Sequence, residues 1–204
     1  MFQKSDFEVF DDPTLDGRMA KIRSIIDPKF EAFADKALPI LLADGRPWVA
    51  HVAKHKMRKV NPPENTWVAF APNKRGYKME AHFELGLWDD HLYLYLAVEE
   101  NMKKTKADGP RIAQELDSLA TLVADLPADF VLSNNHMENN QAPLATYGEL
   151  VQRYGRVKSA EVLIGRQIPV DSPLLDNQPE QLADSLLETL TTLVPLYEAL
   201  KKVQ

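Results

Sequence analysis

Apolar residues recur along this chain with two different periods. Over the first 45 residues the spacing is helical. Leu15, Met19, Ile22 and Ile26 follow a start signal at Asp12-Pro13, and Phe30, Phe33, Ala34, Leu38 and Leu41 follow a second at Asp27-Pro28. This predicts two helices, each with one apolar face, the second kinked or shortened by Pro39 and ended by Gly45. The period then shortens. Residues 66–71 (TWVAFA), bracketed by Pro62-Pro63 and Pro72, predict a short strand. Residues 81–88 and 91–99 each alternate around Asp89-Asp90, which predicts a β-hairpin with a two-residue turn.

The hairpin register follows from the pattern. Trp88 opposite His91 places Leu87 against Leu92, Leu85 against Leu94 and Phe83 against Leu96, six apolar residues on one face. The other face carries Trp88, Gly86, Glu84 and His82 against His91, Tyr93, Tyr95 and Ala97. Gly86 opposite Tyr93 leaves room for a ring to lie on the backbone.

Beyond a polar connection at 101–109, Pro110 opens a predicted helix with Ile112, Leu116, Leu119, Val123 and Leu126 on one face. Residues 129–133 and 160–168 read as strands, 134–143 as a polar loop and 146–157 as a helix. A proline-rich loop leads to a last helix at about 179–203, kinked at Pro195. Helices at both ends of the chain and a hairpin in the middle predict an α+β fold, an antiparallel or mixed sheet covered by helices, in a single domain spanning 1–204.

Composition narrows the chemistry. There is no cysteine among 204 residues, which excludes disulfides, thiolate metal sites and cysteine nucleophiles. No secretory signal and no 18-residue apolar run is present, so a cytoplasmic protein that spans no membrane is expected. The net charge is −6, yet residues 51–78 hold seven bases and one acid, which puts −12 on the remainder. Segregation of this kind creates a local positive field, and its plain alternative is a solvated lysine-rich loop.

The candidate chemistry lies in residues 46–99, which hold all three tryptophans and four of five histidines. Lys54, Arg58, Lys59, Lys74, Arg75 and Lys78 are the candidate anion-binding residues. Trp67, Tyr77, Trp88, His82, Glu84 and Tyr95 are candidates for stacking or for lining a pocket. His51 and His55 would share a face only on a helix, and the lysines beside them would repel a cation. No P-loop, dinucleotide glycine pattern or nucleophile elbow is present. No catalytic residue, metal ligand or cofactor is therefore assigned.

The run HVAKHKMRKVNPPENTWVAFAPNKRGYKMEAHFELGLWDDHLY, with FQKSDFEVF and DGRMAKIRSIIDPKFEAF before it, resembles the YktB-like family of Bacillus and lactic acid bacteria relatives. The resemblance covers the whole chain. It implies a compact α+β protein and brings no catalytic residue with it. The residues themselves point first to a non-enzymatic binding protein for an anionic ligand: RNA, a nucleotide or a phosphorylated metabolite. Two alternatives stand beside it. One is an interaction protein using the last helix. The other is an enzyme on a small anionic substrate, with His82 or Glu84 as acid–base group and Arg75 as clamp.

Overall fold

The computed structural model describes residues 1–203, with side chains described to Leu200. Seven strands form one sheet: β1 (Val49–Val52), β2 (Thr66–Ala71), β3 (His82–Leu87), β4 (His91–Val98), β5 (Phe130–Ser133), β6 (Ala142–Pro143) and β7 (Val162–Pro169). Their order is β1-β2-β3-β4-β7-β5-β6, and every pairing is antiparallel. The α+β fold is as the pattern predicts, with the sheet antiparallel rather than mixed.

The hairpin register is the predicted one, with Leu87 opposite Leu92, Leu85 opposite Leu94 and Phe83 opposite Leu96. These six side chains enter the main core beneath α2 (Asp27–Leu42) and α6 (Pro179–Val203). Each fully buried residue of this size contributes about 1.5–3 kcal/mol. The period of two thus fixes the face, because a slip by one residue would push all six toward the opposite side.

Local departures have local causes. The two N-terminal helices form one run: α1 (Leu15–Lys21), a π turn at Ile22–Ile26, then α2. The Asp27 N–H bonds back to Ile22 O, five residues earlier, so the wide turn precedes Pro28 and the helix continues past it. Pro39 does not end α2, which reaches Leu42. Gly45 closes the run at φ +80°. The helix predicted after Pro110 is two pieces, α3 (Asp108–Asp117) and α4 (Ala120–Ala124). At the break the Ser118 hydroxyl donates to Glu115 O at 2.6 Å, a bond that competes with the helix ladder. The helix predicted at 146–157 is α5 (Tyr147–Arg156). Strands β1 and β6 and the 3-10 helix Lys4–Asp11 carry no clear periodic signal and are additions to the predicted set.

The sheet's second face is the larger surprise. It is buried too: His55, Tyr77 and His136, from segments 53–65, 72–81 and 134–141, pack against it at Trp67. Trp67, Ala69, Trp88, Tyr93, Tyr95, Ala97 and Leu163 form a separate core cluster there. Among the described residues, no helix is long and apolar enough to cross a membrane.

Candidate functional site

Antiparallel order brings chain-distant residues to one end of the second face. His82 opens β3, Glu99 follows β4, Glu161 precedes β7 and His136 lies three residues beyond β5. Val98 pairs with Val162 and Leu163 with Ser133, so the ends of these strands lie together. Glu84 is two residues along β3 from His82 and therefore shares its face. His82, Glu84 and Glu99 are wholly buried, with 0% exposure, and His136 and Glu161 are 7% and 2% exposed.

Each of these groups is held on one side. His82 Nδ1 lies 2.9 Å from Glu80 O. A carbonyl only accepts, so Nδ1 carries the proton, and in the neutral ring Nε2 keeps its lone pair. Glu84 Oε1 accepts from the Tyr93 hydroxyl at 2.7 Å. Glu99 Oε2 accepts from Asn101 Nδ2 at 3.1 Å and lies 3.8 Å from Lys78 Nζ. Glu161 Oε2 takes both the His136 backbone N–H at 2.8 Å and the His136 Nδ1–H at 2.7 Å. The other side of each group faces inward. His82 Nε2 is 3.7 Å from Glu84 Oε2 and 3.5 Å from Glu99 Oε1. These three atoms and His136 Nε2 are buried without a hydrogen-bond partner.

The field in this cluster favours positive charge. Burial opposes the charged form of His136, yet Glu161, Glu84 and Glu99 together push its pKa up to about 9. Burial raises Glu99 despite the pull of His136, His82 and Lys78. Glu161 is lowered: burial works against it and the His136 hydrogen bond prevails.

The covering loops hold the other residues singled out from the sequence. The Trp67 indole N–H donates to the Tyr77 hydroxyl at 3.0 Å. His55 meets Trp67 edge-on at 5.4 Å, and Tyr77 packs on His82 at 4.9 Å and on His51 at 5.6 Å. Both basic loops thus fold over the same face. His51 lies in β1 and His55 in the loop after it at φ 47°, so no helix aligns them. Trp67 and Trp88 are each 6% exposed, which leaves neither indole face open for stacking. Tyr95 is buried against Tyr93 at 4.8 Å and accepts from Gln167 at 2.7 Å. Lys54, Lys59, Lys74 and Arg75 are exposed, while Arg58 donates to Pro62 O at 3.2 Å and Lys78 turns toward Glu99. The sequence therefore named a contiguous region, and the structure divides it into a buried aromatic and acidic interior and an outer rim of bases.

A second feature adjoins the interior cluster. A cleft of about 540 Å³ lies between the segment before α3 and the end of α5. Five bases line it (Lys103, Lys104, Lys106, Arg156 and Lys158) and no acid does. Lys103 Nζ donates to Val157 O at 2.8 Å and Ala160 O at 2.7 Å and sits 4.0 Å over the Tyr154 ring. Burial lowers its pKa to about 8, with Glu100 and Glu161 acting in the opposite sense. The other four bases are exposed and, among the described residues, make no ion pair. Gly109 and Gly155 form the floor, where α3 and α5 approach closely enough that a Cβ on Gly109 would lie 3.1 Å from Gly155 O.

Comparison with known proteins agrees with this picture at the level of the family. A model described as "Domain of unknown function (DUF1054)" matches residues 2–197. The chain belongs to the DUF1054 family. It is 52% identical over 201 residues to a UPF0637 protein of Leuconostoc mesenteroides, covering 98% of this chain and 100% of the relative. It is 39% identical to one of Lactiplantibacillus plantarum over 97% of this chain and 94% of the relative. It is 40% identical to one of Enterococcus faecalis, with 97% of each covered.

For this DUF1054 chain, sequence reasoning missed Glu99, His136 and Glu161, and it missed the bases of the cleft. Glu99 follows a strand, His136 stands in an asparagine-rich loop and Glu161 precedes a strand; none has a spacing motif. The cleft left a fainter trace, KKTK before one helix and GRVK at the end of another.

Proposed function

We propose that this protein binds a small anionic ligand carrying phosphate, and that the cleft between α3 and α5 is where it binds. The observation that carries the reading is the lining: five bases and no acid in a protein of net charge −6. Four unpaired cations around one concavity repel one another, and an anion relieves that repulsion. A volume of about 540 Å³ suits a small molecule rather than a polymer. Lys103 is engaged with the carbonyls at the end of α5 and takes the role of scaffold, leaving Lys104, Lys106, Arg156 and Lys158 to meet the ligand.

A second reading places the anion on the outer loops. It is favoured by their folding over one face with Lys54, Lys59, Lys74 and Arg75 exposed. Both readings describe binding, and neither assigns turnover. His82 and Glu84, the acid–base candidates, are buried beneath Tyr77, while Arg75 is exposed on the covering loop.

The test is calorimetric titration of chelator-treated protein with inorganic pyrophosphate and with ADP at low ionic strength. Binding in the range of about 10 μM to 1 mM is expected, weakening as salt rises. Lys106→Glu combined with Lys158→Glu should weaken it by roughly tenfold or more. Loss of binding in a Lys74→Glu, Arg75→Glu variant instead would move the site to the outer loops. No binding of either probe to the wild-type protein would end the proposal.

A further inference from the structure

The buried cluster on the second face asks for a different ligand. His82 Nε2, Glu84 Oε2, Glu99 Oε1 and His136 Nε2 are buried and lack partners. A buried polar atom without a hydrogen bond is costly, and three of these, His82 Nε2, Glu84 Oε2 and Glu99 Oε1, lie around one locus and need a common cause. Three of them are acceptors whenever the His82 ring is neutral, so they cannot satisfy one another. A proton, a water or a cation has to lie among them.

Charge distinguishes these. Glu84, Glu99 and Glu161 bring three carboxylates to the cluster, and among the described residues Lys78 is the one ammonium ion-paired there. When the imidazoles are neutral, two formal negative charges remain in a water-poor interior. One divalent cation balances them as two protons would, and a water molecule does not.

Distance agrees with charge. A tetrahedral ion with bonds of about 2.0–2.2 Å keeps its ligand atoms about 3.3–3.6 Å apart. His82 Nε2 stands 3.5 Å from Glu99 Oε1 and 3.7 Å from Glu84 Oε2. Those separations are too long for hydrogen bonds and close to the edges of such a coordination shell. One ligand atom each of Glu99, His136 and Glu161 also lie within 4.8 Å of one another, so Glu99 belongs to both groups.

The outer contacts agree as well. Metal-bound histidines commonly donate the second ring N–H to a carbonyl or a carboxylate, which fixes the ring and raises its basicity. His82 does the first, to Glu80 O, and His136 does the second, to Glu161. Tyr93 orients Glu84 in the same manner, and Asn101 orients Glu99.

We infer that His82, Glu84 and Glu99 bind a divalent first-row transition-metal ion, with Tyr93 and Asn101 as positioning residues and with His136 and Glu161 in the adjoining group that shares Glu99. One imidazole and two carboxylates suit Zn²⁺, Mn²⁺, Fe²⁺ or Co²⁺ better than Ca²⁺ or Mg²⁺, which take oxygen. All ligands are enclosed beneath Tyr77 and Trp67, as in closed centres that hold a fold together rather than open ones that activate water. The inference stands apart from the anion cleft, since the two involve different side chains, although the segments Glu99–Lys103 and Ala160–Glu161 run between them.

The experiment is metal analysis of protein purified without chelator, followed by Co²⁺ and Zn²⁺ titration of the stripped protein. About one ion per chain is expected, with visible Co²⁺ absorption that Zn²⁺ displaces and a rise in thermal midpoint on loading. His82→Gln with Glu99→Gln should abolish the absorption. Tyr93→Phe should retain it and weaken affinity by about 10–100-fold, since that residue acts through Glu84. Circular dichroism separates lost binding from lost folding, and Glu84→Gln alone provides a near-isosteric variant should the double one not fold. Wild-type protein that takes up none of these ions, or uptake that persists in folded His82 and Glu99 variants, would overturn the inference.

Discussion

Substituting Gly86 tests how the sheet positions the buried cluster. Gly86 pairs with Tyr93 across β3 and β4, and the Tyr93 ring lies against its backbone. A Cβ added there would stand 2.3 Å from both Cζ and the hydroxyl oxygen of Tyr93. Ordinary carbon contacts begin near ~3.5 Å, so the ring must move by roughly an ångström. Tyr93 is 1% exposed and stacked on Tyr95, which leaves it little room to do so. Overpacking of this kind costs about 1–3 kcal/mol. Displacing the hydroxyl also weakens its 2.7 Å bond to Glu84, a bond to a charged acceptor worth about 1.5–3 kcal/mol. Replacing glycine returns about 0.4–1 kcal/mol by restricting the unfolded chain. Gly86→Ala is therefore expected to lose about 2–5 kcal/mol, a large part of the ~5–15 kcal/mol typical of a whole domain. Urea denaturation at equilibrium measures it. In a Tyr93→Ala background the same substitution should cost nothing or stabilise slightly, giving a strong coupling in the double-mutant cycle. A Gly86→Ala cost that is equal in both backgrounds would refute the idea that the ring requires the glycine.

Three further outcomes are expected. Lys103→Met should destabilise by about 1–3 kcal/mol in urea titration, because Ala160 O loses the ammonium donor and Val157 O keeps only the Ala160 N–H. Arg18→Lys should cost about 1–3 kcal/mol by the same measurement, since one ammonium cannot replace a guanidinium fork that donates to Phe10 O at 2.6 Å, Asp12 O at 2.9 Å and Pro63 O at 2.9 Å. Asp27 should give a pH dependence: burial, with Glu31 beside it, raises its pKa from 3.8 to about 6. The folded state then binds the proton more tightly than the unfolded one, so this contribution is complete below 3.8 and is lost as pH rises through about 6. Asp27→Asn should flatten that decline in a series of denaturation midpoints, and an unchanged slope would show that another group causes it.

Much of the fold was legible because it is local. The period of two over residues 81–99 fixed strands, turn and register together, and Gly86 facing Tyr93 could be read as a ring on a backbone before any coordinates. Helical periods gave α2, α5 and α6 for the same reason: a single apolar stripe states its own period. The exceptions are places where a neighbour decides. The π turn before Pro28 depends on one bond reaching five residues back. The break at Ser118 depends on a hydroxyl turning to its own helix. β1 is only four residues long, and it is defined by the partner it meets in β2, with half-buried side chains and no alternation of its own.

The site was half legible, and the missing half has one physical cause. β7 enters the sheet between β4 and β5, and this insertion carries Glu161 and His136 to the side of Glu99 from far along the chain. No local period encodes an insertion of that kind. Counting charge along the sequence does not reveal this layering either. Residues 51–78 are strongly basic, but they form the cover, and the side chains beneath them are carboxylates. Lys78 shows the consequence directly: it counts among the free cations in the sequence and is ion-paired to Glu99 in the fold. A basic cover lies over this acidic interior; the proposed cation site lies within it, and the proposed anion cleft adjoins it along the segment from Glu99 to Lys103. Binding at one should then leave the other unchanged unless the segment from Glu99 to Lys103 moves. Repeating the pyrophosphate titration with protein fully loaded with Zn²⁺ and with stripped protein measures that coupling, and equal affinities would establish the two sites as independent.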